Sequence, residues 1–288
     1  MKGIPMTTIA VTGTSGNLGH LIVDALLERG VEAGNIVAIA RNTDKIADLS
    51  ERGVVARQGD YTDTASLDSA LSGVDRLVLV SSSEVGQRAV QHANVLAAAE
   101  RAGVKRIVYT SLLRADTSTL GLAAEHKITE RDLAASPIVA TILRNSWYLE
   151  NYTGQIAQYT ANGAILGATK GARVTAGARA DYAAAAAVAA IQDAEGGTYE
   201  LGGATFTLED LAAEVSAASG VGVEYRDLPV AGFAAALEGA GLDEGTAGFY
   251  ASVDNDISEG ELFTDSTDLE ALLGRPPVTL EAAVRAAL

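Results

Sequence analysis

The chain has 288 residues, 48% of them apolar, and a formal net charge of −16. It holds no cysteine, and its three histidines, His20, His92 and His126, lie far apart, so disulfides and thiolate catalysis are excluded and no metal site is expected. The acidic balance argues against a nucleic-acid partner, since phosphate contacts need Lys and Arg, and no apolar run reaches the roughly 18 residues of a membrane span. The opening "MKGIPM" is too short and too weakly apolar for a signal peptide. A start at Met6 with residues 1–5 as an extension fits it, and a cytoplasmic location is expected.

The first half alternates. "TTIAVTG" reads as a strand and "LGHLIVDALLERG" as a helix ended by Gly30. "NIVAIAR" is a strand, and "TDKIADLSERG" a helix with Thr43 as its N-cap. "VVARQGD", "VDRLVLVSSS", "VKRIVYTSLL" and "IVATILRNS" are further strands, separated by the helices "TASLDSALSG", "QRAVQHANVLAAAERAG" and "EHKITERDLAASP". Strands apolar along most of their length, alternating with helices, predict a doubly wound α/β fold: a parallel sheet covered on both faces, of the Rossmann type.

The second half changes character. "DYAAAAAVAAIQDA" is an Ala-rich helix, and "GTYELGG" a strand expected to return to the sheet. "TLEDLAAEVSAASG" is a helix opened by Thr207 or Thr205, "VGVEYRDL" a short strand, and the remainder small helices. Residues 1–150 are therefore expected to form the Rossmann domain, joined by segments near 174–203. Residues 151–288 form a smaller, mostly helical C-terminal lobe, interleaved with it.

"TGTSGNLG" stands where the first strand meets the first helix. At such a junction Gly13 permits the tight turn, Gly16 lets a pyrophosphate approach the backbone, and Gly19 lets the helix pack closely on the sheet. The helix N-terminus then offers N–H groups to the phosphates from Thr14, Ser15, Asn17 and Leu18. The second strand ends at Arg41 and Asn42, where an NAD-preferring site would carry Asp or Glu. Arginine suits a 2′-phosphate, which favours NADPH; a solvated arginine is the alternative. Asp60 and Tyr61 fall beside the adenine region, with a turn role for Asp60 equally open. Ser81, Ser82 and Ser83 fall under the ribose and nicotinamide, or cap the next helix. Trp147, Tyr148 and Tyr152 in "LRNSWYLENY" offer flat surfaces to a flat ring, or seal the two lobes together.

"TGTSGNLGHLIVDALL", "SSSEVGQRAVQHANV", "YTSLLRADTSTLGLAAEH", "LRNSWYLENY" and "ARADYAAAAA" together resemble the type-2 NAD(P)H:quinone oxidoreductases. These belong to the NmrA-like, atypical branch of the short-chain dehydrogenase/reductases. The resemblance runs from Thr7 onward and is most specific in "SSSEVGQRA" and "LRNSWYLENY". It implies NADPH along the glycine turn, at Arg41 and Asn42, at Ser81–Ser83 and around Asn145, Trp147, Tyr148, Leu149 and Glu150. It implies a quinone or similar planar acceptor between the lobes, hydride transfer to it, and a homodimer. An NADP(H)-binding sensor without catalysis, or a reductase of dyes, imines or carbonyls, are the alternatives.

The Tyr-x-x-x-Lys of better-known members is missing. The helix in its place carries "HKITE", with His126 and Glu130 one turn apart, which also reads as a surface pair. Asn145, Ser111 and His126 are the candidate catalytic residues. The missing acid speaks against ordinary ketone chemistry.

Overall fold

A computed structural model describes residues 7–193 and 196–288. Met6 and Ala194, the last residue read into the Ala-rich helix, lie outside the described residues. The first half runs β1 (Ile9–Val11), α1 (Asn17–Glu28), β2 (Ile36–Ala40), α2 (Ala47–Glu51), β3 (Val55–Gln58), α3 (Thr64–Leu71), β4 (Arg76–Leu79), α4 (Arg88–Ala102), β5 (Arg106–Leu112), α5 (Ala123–Ala135) and β6 (Val139–Asn145). The second continues with β7 (Trp147–Tyr148), α6 (Glu150–Thr153), α7 (Ile156–Asn162), β8 (Ala164–Gly167), β9 (Val174–Gly177), α8 (Arg179–Ile191) and β10 (Gly197–Leu201). It closes with β11 (Ala204–Phe206), α9 (Leu208–Ser219), β12 (Glu224–Asp227), α10 (Val230–Gly239), α11 (Glu244–Ser258), α12 (Asp268–Leu273) and α13 (Leu280–Ala286). No described helix is long and apolar enough to cross a membrane.

The large sheet is parallel throughout, in the order β3-β2-β1-β4-β5-β6-β10. The strand order reverses between β1 and β4, which opens a crevice at their C-terminal ends. One face of the sheet packs on α1 and α8 through Ile22, Leu26, Ala183 and Ala187. The other packs on α3 and α4 through Leu67, Leu71, Val95 and Ala99. Burial on both faces is why β1 and β2 are apolar without alternation, whereas the edge strand β3 carries Arg57 and Gln58. β10 pairs in register with β6, Leu201 opposite Asn145, so the chain does return to the sheet. The alanines of α8 bring that helix close against α1, and Leu269 of α12 joins the same core.

Two details differ from expectation. The turn after β2 is capped by Asn42, not Thr43: the Asn42 side chain accepts the Asp44 N–H at 2.9 Å, and a 3-10 turn precedes α2. The second half also holds more strand than its sequence suggests, in a three-stranded sheet β11-β9-β7 and a pair β12-β8. Those strands have two to four residues each, too short to carry a period. Thr207 opens α9, in a capping box with Asp210.

Candidate functional site

A crevice of about 500 Å³ lies along the ends of β1, β2, β3 and β4. Gly13, Ser15, Gly16, Asn17 and Leu18 form its floor. Gly13 sits at φ +65°, where a side chain would be strained. A Cβ on Gly19 would lie 2.4 Å from the Gly13 carbonyl oxygen, so the close approach of α1 to the turn requires glycine there. Gly16 is the N-cap of α1 and supplies no side-chain cap, and no acidic residue stands in the first turn. The first N–H groups of α1 are thus left to whatever fills the crevice.

The walls come from the neighbouring strand ends. Arg41 and Glu84 form an ion pair at 2.8 Å, and Glu84 also accepts the Gln91 amide at 2.7 Å. Both charged side chains are exposed, Arg41 to 69%. Asp60 accepts from the N–H and hydroxyl of Thr62, and these hydrogen bonds hold its carboxyl below the usual range. Tyr61 turns its hydroxyl inward, 2.8 Å from the Val80 carbonyl and 2.5 Å from Thr12 Oγ1, tying three strand ends together. Burial pushes that phenol well above its ordinary value. Ser81, Ser82 and Ser83 complete the wall, and Tyr148 and Arg179 stand at its far end with the guanidinium 4.6 Å over the ring.

The serine wall is held from behind by residues that the sequence did not single out for this. Thr110 Oγ1 accepts the Ser81 N–H at 2.9 Å. His92 Nε2 accepts the Ser82 N–H at 3.0 Å, and Arg88 donates to the Ser82 carbonyl at 2.8 Å. Burial, reinforced by the Arg88 charge, pushes His92 down to about 3. The ring is therefore neutral, with its proton on Nδ1 toward Thr129 Oγ1 at 2.9 Å. Arg88 and His92 are four residues apart on one face of α4, the one signal in the sequence that could have found them.

Several expected site residues fall elsewhere. Thr14 is buried, and both its N–H and its hydroxyl donate to the Ile39 carbonyl, so neither reaches the crevice. Asn42 is used as the cap described above. Leu149 is core. Glu150 accepts the Arg179 backbone N–H at 2.9 Å, fixing the start of α8. Trp147 faces away from Tyr148, as neighbours on a strand must, and lines a different cavity.

Two of the three candidate catalytic residues have their polar groups taken up by partners inside the fold, whereas the third does not. His126 and Glu130 are no surface pair. His126 is 5% exposed, its Nδ1 2.6 Å from the hydroxyl of fully buried Tyr109, and burial holds it well below its ordinary value. Ser111 donates to Glu130 at 2.6 Å. Glu130 in turn is gripped by Arg144 through Nε at 3.0 Å and Nη2 at 2.7 Å. None of Ser111, His126 and Asn145 is among the residues that line the crevice. Asn145, at the end of β6, is 4% exposed and its Oδ1 has no hydrogen-bond partner. It lies beside the Tyr148 hydroxyl, which burial raises. Gln91 Oε1, in the crevice wall, is the second orphaned acceptor. Buried acceptors without donors fit a ligand that brings N–H or O–H groups.

The NmrA-like family pattern matches residues 5–257. The chain is 50% identical to Quinone oxidoreductase 2 of Escherichia coli over 96% of its length and 97% of that protein's. The crystal structure of the NADPH-dependent quinone oxidoreductase of E. coli in complex with NADPH superposes with a TM-score of 0.94, at 49% identity, covering 97% of this chain and 99% of the other. The triphenylmethane reductase of Citrobacter sp. complexed with NADP(H) superposes at 0.93, with 35% identity over 98% of this chain and 100% of the other.

Proposed function

The chain belongs to the NmrA-like family, and on that premise we propose that it transfers a hydride from NADPH to a quinone. The observation that carries the cofactor half is the glycine-lined, uncapped N-terminus of α1 on the crevice floor. Its free N–H groups suit a pyrophosphate, and Arg41 suits a 2′-phosphate once it releases Glu84. The orphaned Asn145 Oδ1 and Gln91 Oε1 suit the amide and hydroxyl donors of a nicotinamide riboside. When bound, NADPH supplies the hydride. The protein's own part is to hold and orient: His92, Arg88 and Thr110 fix the serine wall, and Tyr148, braced by Arg179, flanks the far end.

The quinone half agrees with the missing Tyr-x-x-x-Lys and with Ser111 and His126 lying outside the crevice. Reduction of a ketone builds an alkoxide, whose conjugate acid is about as weak as water. Reduction of a quinone builds a phenolate-like hydroquinone anion, with pKa ~10. The gap of ~6 units is on the order of 8 kcal/mol of charge that a quinone reductase need not stabilise. Solvent can deliver that proton late, which is consistent with Ser111 and His126 being locked in the core. The 50% identity to a quinone oxidoreductase supports the same substrate class.

We assign residues 1–150, with 174–203, to the cofactor and the interleaved lobe 151–288 to the acceptor side, in a cytoplasmic homodimer whose mass sedimentation would report. The test of the activity is NADPH absorbance with and without benzoquinone. Steady oxidation is expected, together with negligible reduction of simple aliphatic ketones. Tight binding without turnover would make the chain a sensor instead. Asn145→Ala is expected to lower turnover more than NADPH affinity; wild-type quinone kinetics would make Asn145 structural.

A further inference from the structure

The lobe beyond β6 holds a second cavity, of about 510 Å³, between α7, β8, α10 and α11. It shares no lining residue with the crevice. Five aromatic rings face it, Trp147, Tyr152, Tyr159, Phe233 and Tyr250, and one carboxyl, Asp254. Asp254 Oδ2 accepts the Ala168 N–H at 2.8 Å, and Oδ1 has no partner among the described residues. No Lys or Arg is among the described residues that line the cavity. Burial pushes the carboxyl up to about 6, against the pull of the Ala168 N–H, and the Asp227 charge adds to it.

A second polar atom is orphaned there. Tyr152 is 8% exposed, and its hydroxyl has no hydrogen-bond partner. Burial raises that phenol well above its ordinary value, and the Asp254 charge is felt by it and by Tyr159. A desolvated carboxyl is ordinarily paired with a basic side chain. Here none stands among the described residues that line the cavity. The face of an aromatic ring carries negative charge and attracts cations. The cavity thus combines a carboxylate without a counter-charge, an idle hydroxyl and a ring-lined wall.

We propose that this cavity is a binding site for an aromatic organic cation, an arylalkyl ammonium whose N–H groups reach Asp254 Oδ1 and the Tyr152 hydroxyl while its ring packs among the aromatic walls. The site stands apart from the quinone reading and does not depend on it. β7 divides the two cavities: Tyr148 faces one and Trp147 the other, so a cation and the dinucleotide can be held together.

Trp147 is the chain's one tryptophan and lines the cavity, so its fluorescence reads occupancy directly. The experiment titrates the full chain, without dinucleotide or quinone, with 2-phenylethylammonium and with the uncharged 2-phenylethanol. The ammonium is expected to shift the emission saturably and to bind at least about tenfold tighter than the alcohol, the gain of a charge-assisted bond. Asp254→Asn keeps the contact to Ala168, and is expected to abolish that preference while leaving the alcohol's affinity unchanged. Tyr152→Phe is expected to weaken the ammonium by roughly 2- to 10-fold. Equal binding of ammonium and alcohol to the wild type, no saturable shift with either, or a preference that survives Asp254→Asn would overturn the proposal.

Discussion

Two carboxylates below the surface of this protein have opposite surroundings. Glu130 is enclosed by the large sheet: Arg144 grips both its oxygens, and Ser111 donates to one. Arg144 also reaches Asp116 and Glu200. Burial alone would lower Arg144, but Glu130 and Glu200 more than offset it and hold it charged. Asp254 opens into the small-lobe cavity with one backbone N–H for company. A carboxylate whose bonds are all internal ties elements together, here α5, β5 and β6. One left short of partners beside open space is available to something else.

The sharpest way to break that contrast is to remove the paired group. Glu130→Ala leaves the Ser111 hydroxyl and half of Arg144 unpartnered in the core. We expect a loss toward the lower end of about 3–5 kcal/mol, because Asp116 and Glu200 remain, read by denaturant unfolding. A loss below about 1 kcal/mol would mean that the network is no more than a surface-like bridge.

Asp254→Asn should act in the other direction. The folded carboxyl titrates near 6 against a reference of 3.8. Between these values the folded state binds more protons than the unfolded one, so stability falls as pH rises through that window. The full penalty, about 3 kcal/mol at most, is present above pH ~6 and absent below pH ~4. Asparagine removes it. Stabilisation at pH 8 that disappears at pH 3.5 is expected; destabilisation at pH 8 would show that the charge has a partner inside the fold.

The crevice invites a steric test. Gly16→Val places branching methyls at the crevice floor, while the Cβ itself meets the Gly13 carbonyl oxygen at 3.3 Å, a tight contact relieved by a shift of a few tenths of an ångström. NADPH affinity should fall about 100-fold or more, roughly 2.7 kcal/mol, with the unfolding midpoint nearly unchanged. Normal affinity in this variant would move the phosphate site elsewhere. The smallest effect is expected at Arg41, which is exposed and shared with Glu84. Arg41→Ala should weaken NADPH by about tenfold and leave NADH unchanged. Equal losses for both would show that Arg41 does not discriminate.

Much of the crevice was legible because its signals are local. Gly13, Gly16 and Gly19 sit within seven residues, and a glycine requirement there follows from backbone geometry close along the chain. Arg41, Asp60 and Ser81–Ser83 line the crevice because each stands where a parallel strand ends. The same logic misplaced Thr14, Asn42, Trp147 and Leu149, because proximity in sequence does not say which way a side chain points. Arg88 and His92 were visible as a helical pair, but nothing local connects them to Ser82. His126 and Glu130 looked like a surface pair for the same reason: spacing gives a shared face, not what that face meets.

The order of strand and helix in the first half, the parallel large sheet and the glycine turn followed from the chain alone, since each rests on periodicity or on contacts between near neighbours. The partners of Ser111, His126 and Glu130, the lone carboxyl of Asp254 and the division of Trp147 from Tyr148 between two cavities came only with the tertiary structure. Burial and pairing of a polar group depend on residues brought from far along the chain: Asp254 meets Ala168 across 86 positions, and Arg144 meets Glu200 across 56. No local pattern in the sequence encodes that meeting, and it decides whether a charge serves the fold or a ligand.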